Sequence, residues 1–250
     1  MTTEANPFAD ALAKIQERVD RAESRQRPDD RHGGTPGAPP PDFAAQARAE
    51  RVSRRVKAMT ANGWERRPIE AARSEGYDEA RVSGYLDALR RLDRSRLGGV
   101  VVLAGNPGSG KTAATARWAI MRDDHAPRFL RAAEFFRSSR YTREGDEGES
   151  RDQLLKRPAL VLDDAGMEFA DASGSYRTDL DELVDRFYAD GRILVVTTNI
   201  VWATPRQRDA AKGGADEITF SDRYGERVVD RLRECGQWVS SSARSMRGVP

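Results

Sequence analysis

Eight consecutive residues, Gly105-Asn106-Pro107-Gly108-Ser109-Gly110-Lys111-Thr112, carry the strongest chemical signal in the sequence. They match the spacing G-x-x-x-x-G-K-[ST], whose glycines let successive backbone N–H groups turn inward around phosphates. An apolar run from Val100 to Leu103 precedes them and a helix-forming stretch over 111–122 follows. The loop is therefore predicted to join a strand to a helix N-terminus, whose partial positive charge favours anions. Lys111 is placed to reach the β- and γ-phosphates of a nucleoside triphosphate, and Thr112 to hold magnesium. Gly105 to Thr112, with Ala113 behind them, are the expected nucleotide-binding segment; ATP and Mg2+ are the expected ligands.

Two further segments point to the same chemistry. Ala159-Leu160-Val161-Leu162-Asp163-Asp164 reads as an apolar strand ending in two carboxylates, about fifty residues after the loop. From a strand's carboxyl end Asp163 can hold the magnesium shell, and Asp164 can orient or deprotonate the attacking water. The bland alternative is an aspartate pair opening a turn, since Gly166 follows. A strand over 192–197 ends in Thr197-Thr198-Asn199, where Asn199 can sense the γ-phosphate and position water. Asn is also a common turn residue, so a strand-ending turn is the competing reading. Arg223, Arg227 and Arg231 recur every four residues beside Asp222, Glu226 and Asp230, so spacing alone favours a salt-bridged, solvated helical face.

These residues must be brought together by a parallel sheet. Short β-branched runs alternate with amphipathic stretches, predicting strands near 99–104, 128–131, 159–163, 192–197 and 237–240. Helices are predicted over 111–122, 132–139, 150–156, 177–189 and 223–234. Val100-Val101-Val102-Leu103 and Ile193-Leu194-Val195-Val196 are apolar throughout, as strands covered on both faces must be. Ahead of this core, 43–96 reads as a helical lead-in broken near Gly63 and Gly76. Residues 1–42 read as a short amphipathic helix over 7–26, either solvated or partner-binding, followed by a Pro/Gly-rich flexible tether from Arg27 to Pro41. The division is thus 1–42, 43–96 and 97–250.

Composition narrows the classes. The 42 basic and 40 acidic residues nearly cancel, so any basic patch must be local. Cys235 is the only cysteine and His32 and His125 the only histidines, which excludes an internal disulfide and a zinc site of the usual kind. The polar N-terminus has no signal-peptide stretch, and the apolar runs are too short to cross a bilayer. A cytoplasmic protein without membrane contact is expected.

The ordered series LVLDDAG, SYRTDLDELVDRFYADGRILVVTTN, RYGERVVDRLRE and SSARSMRG resembles the DnaC-type helicase loaders and the related IstB helper ATPases of insertion-sequence transposons, both AAA+ ATPases. The resemblance covers about residues 97–248. It implies a three-layer αβα P-loop sandwich with a parallel five-stranded sheet, a reduced or absent lid and a helical N-terminal extension. Lys111 and Thr112 match the Walker A positions, Asp163 and Asp164 the Walker B pair, and Asn199 the first sensor. Arg231 resembles the arginine finger that enters a neighbouring subunit's site; Arg247 resembles the second sensor, with Arg244 as its rival. Tyr176 falls where loaders place an aromatic on single-stranded DNA, against the alternative of a helix-start residue packed on the core. The chain departs from the pattern at 138–150, which is acidic after Arg143 where the family has a DNA-facing insertion; Arg137, Arg140, Tyr141 and Arg143 are the contacts left.

The expected activity is ATP hydrolysis by a self-associating protein on single-stranded DNA that delivers a replicative helicase, with the N-terminal region gripping the partner. The alternatives are a transposition helper on duplex DNA, partnered by a transposase, and an ATP-dependent binding switch without turnover. Asp in place of Glu at 164 keeps the switch open. A small-molecule kinase fits less well, since no acceptor pocket is suggested.

Overall fold

The computed structural model describes residues 43–95, 98–122, 125–141, 149–166, 175–200 and 218–241. The elements are α1 (Phe43–Ala61), α2 (Arg66–Arg73), α3 (Ser83–Arg94), β1 (Gly99–Gly105), α4 (Lys111–Met121), β2 (Arg128–Arg131), α5 (Ala132–Tyr141), α6 (Arg151–Leu154) and β3 (Ala159–Ala165). They continue with α7 (Ser175–Ala189), β4 (Ile193–Thr198), α8 (Phe220–Tyr224), α9 (Glu226–Cys235) and β5 (Gly236–Ser241).

The five strands form one sheet in the order β2-β3-β4-β1-β5, and every pairing is parallel. Alternate strand residues enter two separate cores, as the period of two requires. Val100, Val102, Leu160, Leu162, Leu194 and Val196 meet Phe135, Leu183, Phe187, Tyr224 and Leu232 on one face. Val101, Leu103, Val161 and Val195 meet Met59, Trp64, Leu86, Leu89 and Trp118 on the other. Helices therefore cover both faces, and the lead-in helices build one of the two outer layers. Trp64 anchors that layer: its indole donates to the Pro127 carbonyl at 2.9 Å, and its ring lies 4.8 Å from that of Phe129.

One predicted helix differs. The stretch expected as a single helix over 223–234 is two. Thr219 caps α8 through a reciprocal pair of bonds with Asp222, and Gly225, at φ 91°, turns the chain before α9. The left-handed conformation is open to glycine at little cost. Arg223 thus leaves the helical face it was expected to share with Arg227 and Arg231.

Among the described residues no helix is long and apolar enough to cross a membrane. The helix expected over 7–26, the tether, most of the acidic loop and the long connection after Val201 lie outside the described residues, as do Arg244, Arg247 and the end where a reduced lid was expected.

Candidate nucleotide site

The site is assembled at the carboxyl ends of β1, β3 and β4, which the parallel register brings side by side. From Gly105 the chain turns through Asn106, whose carbonyl accepts from Ser109 N at 3.0 Å, and through Gly108 at φ 81° and Gly110 at φ 91° into α4. No side chain caps α4, so its first N–H groups face the loop unclaimed by a capping oxygen. That cradle has the chemistry to accept phosphate oxygens.

Lys111 closes the loop from inside. Its three ammonium hydrogens are spread over four acceptors, the carbonyls of Gly105 (2.8 Å) and Asn106 (3.1 Å), Asn199 Oδ1 (2.8 Å) and, sharing a hydrogen, Ser109 Oγ (3.4 Å). Lysine and strand-end asparagine, 88 positions apart, are thus one hydrogen-bonded unit.

Thr112 Oγ1 donates to Asp163 Oδ1 at 2.9 Å, and Thr197 Oγ1 donates to the same oxygen at 2.6 Å. Thr197 Oγ1 in turn accepts from the backbone N–H of Asp164 at 3.0 Å. Asp163 is buried, and that burial, reinforced by the neighbouring Asp164 charge, pushes its carboxyl up to about 6 despite the bonds from Thr197 and Thr112. Asp164 is exposed and holds a left-handed φ of 55°, next to a register shift between Leu162 and Ala165. Non-glycine residues in that region are strained by about 1–3 kcal/mol, a feature common at functional sites. Two adjacent carboxylates therefore have separate environments, one buried against hydroxyls and one turned out toward solvent.

Gly105 tolerates nothing larger. A Cβ there would meet Tyr85 Oη at 2.5 Å and the Ser241 carbonyl at 2.7 Å, on a backbone at φ +154°. Gly105→Ala is expected to lower unfolding stability by about 2–4 kcal/mol, read as a fall in midpoint by thermal melting.

The structure brings Lys111, Thr112, Asp163, Asp164 and Asn199 to one crevice, whereas Arg231 lies elsewhere. Arg231 pairs with Asp185 of α7 at 2.9 Å and with Glu234 at 3.4 Å, while Arg227 reaches Asp181 of α7 at 2.8 Å. The arginines of the expected ladder thus bridge α9 to α7, while pairs within α9 persist as Arg231 with Glu234 and Arg233 with Asp230. Of the two readings open for Tyr176, the structure shows the one packed on the core: it is 4% exposed, edge-on to Phe136 and Tyr224, with Arg223 over its face at 4.8 Å. A ring so enclosed has no face to offer a base. Glu149, the last acid of the loop, is bound by Arg128 (2.8 Å) and Arg157 (2.5 Å). Burial raises its carboxyl, but those two guanidinium groups outweigh burial and hold it below the usual range. Arg137 is exposed on α5, whereas the side chains of Arg140, Tyr141 and Arg143 lie outside the described residues.

Sequence reasoning missed Thr197, which fixes both the Asp163 side chain and the Asp164 backbone. Its only sequence signal was a hydroxyl at a strand end beside the chosen asparagine. Thr112 Oγ1 and the Asp163 carboxylate are hard oxygen donors already 2.9 Å apart, a set that fits Mg2+.

The family model of IstB-like ATP binding proteins matches residues 46–215. It begins about fifty residues ahead of residue 97, where the resemblance starts, and within α1. The lead-in has no catalytic motif to be read, only the apolar positions that pack it on the sheet. No curated protein matches significantly. Among solved structures, the DnaC helicase loader superposes with a TM-score of 0.53 at 21% identity, over 70% of this chain and 99% of that one. DnaI gives 0.49 at 18% identity, over 71% and 94%. AMPPCP-bound DnaA from Aquifex aeolicus gives 0.41 at 18% identity, over 67% and 47%. This chain thus shares the fold of the DnaC helicase loader.

Proposed function

Because the chain belongs to the IstB-like ATP binding protein family, we propose that it hydrolyses ATP between adjacent subunits assembled on single-stranded DNA and thereby delivers a replicative helicase. The observation that carries the ATP-hydrolysing part of this reading is the contact between Lys111 and Asn199 Oδ1 at 2.8 Å, which joins the phosphate loop to a third strand end; the loader role rests on the resemblance. ATP is the substrate. Lys111 exchanges the Gly105 and Asn106 carbonyls for the β- and γ-phosphate oxygens, and the N–H groups at the start of α4 receive the remainder. Thr112 and Asp163 would hold Mg2+, which would supply charge neutralisation for the phosphates. Asp164, turned out from the strand end, takes up the attacking water, and Asn199 orients it. Arg231 from a neighbouring copy leaves Asp185 and neutralises the transferring phosphoryl group; such a finger contributes about 10³–10⁵ in rate.

The second reading, which the resemblance to the IstB helper ATPases implies, is a transposition helper that assembles on duplex DNA and recruits a transposase. Burial of Tyr176 removes one support for single-stranded DNA without adding one for duplex. The separating experiment is ATPase rate per subunit against protein concentration, with single-stranded or duplex DNA. A rate that climbs with concentration and single strands supports the loader. Stimulation by duplex alone supports the helper. Tight ATP binding with a flat, negligible rate overturns both in favour of a binding switch.

A further inference from the structure

Tyr85 belongs to the lead-in, yet its hydroxyl touches the phosphate loop. The side chain is 1% exposed; Oη donates to the Ala104 carbonyl at 2.6 Å and lies 3.3 Å from Ser109 Oγ. Ser109 is itself 0% exposed and accepts from the Lys111 ammonium at 3.4 Å. Counting protons fixes the direction of each bond. A phenol has one hydrogen, and Tyr85 uses it on Ala104; the tyrosine oxygen can therefore only accept from Ser109. Ser109 spends its one hydrogen on Tyr85, which turns a hydroxyl lone pair toward Lys111, a group that can only donate. The missing side chain at Gly105 makes room for this arrangement, since a Cβ would lie 2.5 Å from Tyr85 Oη and 3.0 Å from Ser109 Oγ.

We propose that Tyr85 is a positioning residue for nucleotide binding: through Ser109 it orients an acceptor toward Lys111 and fixes the loop from behind, which makes the helical lead-in part of the nucleotide site. The inference rests on the ATP-binding reading above. Without the phenol oxygen, the Ser109 hydroxyl is free to rotate and to present its hydrogen to the ammonium, so the lysine loses a fixed partner and the loop its rear support.

The test measures ATP affinity, in the presence of Mg2+, for the full chain and for Tyr85→Phe, Ser109→Ala and the double variant. Each single variant is expected to weaken ATP binding about fivefold, the size of one hydrogen bond. The double variant is expected to be no weaker than either single one, because both break the same relay. Leu89→Ala, four residues on in α3 and fully buried, serves as the stability control. It is expected to lower the melting temperature more than Tyr85→Phe while leaving the affinity of the folded protein unchanged. Tyr85→Phe with wild-type affinity overturns the relay alone, as do single effects that multiply in the double variant. If Tyr85→Phe does not fold, Ser109→Ala decides, since it leaves Tyr85 packing intact: unchanged affinity there overturns the proposal. A wild-type chain that does not bind ATP overturns the ATP-binding reading and the relay with it.

Discussion

Asp163→Asn is expected to make the protein more stable in the absence of nucleotide and to abolish its turnover. Burial lifts the Asp163 carboxyl from the ordinary carboxylate range to about 6, so the fold holds the protonated form more readily than the unfolded chain does. The stability that this contributes is fully present below the ordinary carboxylate range and is lost as pH rises through about 6. Above that value the folded protein carries a desolvated charge which the unfolded chain would hold in water, at a cost of roughly 3 kcal/mol. Asparagine removes the charge and keeps an oxygen to accept from Thr112 and Thr197. Thermal melting should show the variant's advantage growing between pH 4 and pH 6 and staying level to pH 8. Added Mg2+ and ATP should reverse the order, because the variant lacks the anionic ligand. Hydrolysis should fall by about 10³ or more, as the loss of a metal ligand implies. A variant less stable than wild type at pH 8 without nucleotide would contradict the burial argument.

Arg231→Ala is the second substitution expected to act strongly, and on the proposed reading its effect falls on a different subunit from the one it alters. Arg231 is nearly half exposed and its ion pairs with Asp185 and Glu234 lie at the surface, so their loss should change stability by about 1 kcal/mol or less. ATP affinity should be unchanged, while turnover falls by about 10³. Mixing Arg231→Ala with Lys111→Ala subunits should restore a fraction of the activity, because one supplies an intact phosphate loop and the other an intact arginine. An Arg231→Ala protein that hydrolyses as fast as wild type would sink the finger assignment. So would a mixture no more active than its components, provided that the two variants associate.

Both experiments probe a site divided between what is rigid and what must exchange. The Asp163 oxygen is held by two hydroxyls from two different elements, and Thr197 ties the same point to the Asp164 backbone. The Lys111 ammonium and the Arg231 guanidinium, by contrast, hold partners that the proposed mechanism has a nucleotide or a second subunit replace.

The sequence by itself determined the strands, the phosphate loop and the strand-end position of Asp163 and Asn199. Their signals are short-range: strands covered on both faces of a parallel sheet read as short β-branched apolar runs, and glycines at fixed offsets permit only a few turns. The five strands accordingly lie within a residue or two of their predicted bounds. Tertiary structure alone decided the fate of individual side chains. Tyr176 and Tyr85 are aromatic residues on helices with similar local surroundings in sequence, yet one is enclosed by Phe136 and Tyr224 while the other reaches Ala104 and Ser109. Arg223, Arg227 and Arg231 shared a helical face only until Gly225 turned the chain, and two of them found their acids on α7. The Thr197–Asp163 bond spans 34 positions and the Lys111–Asn199 bond 88. Spacing within a helix or strand fixes which residues share a face, but burial and hydrogen bonding depend on what the rest of the chain packs against that face, and no local pattern carries that information.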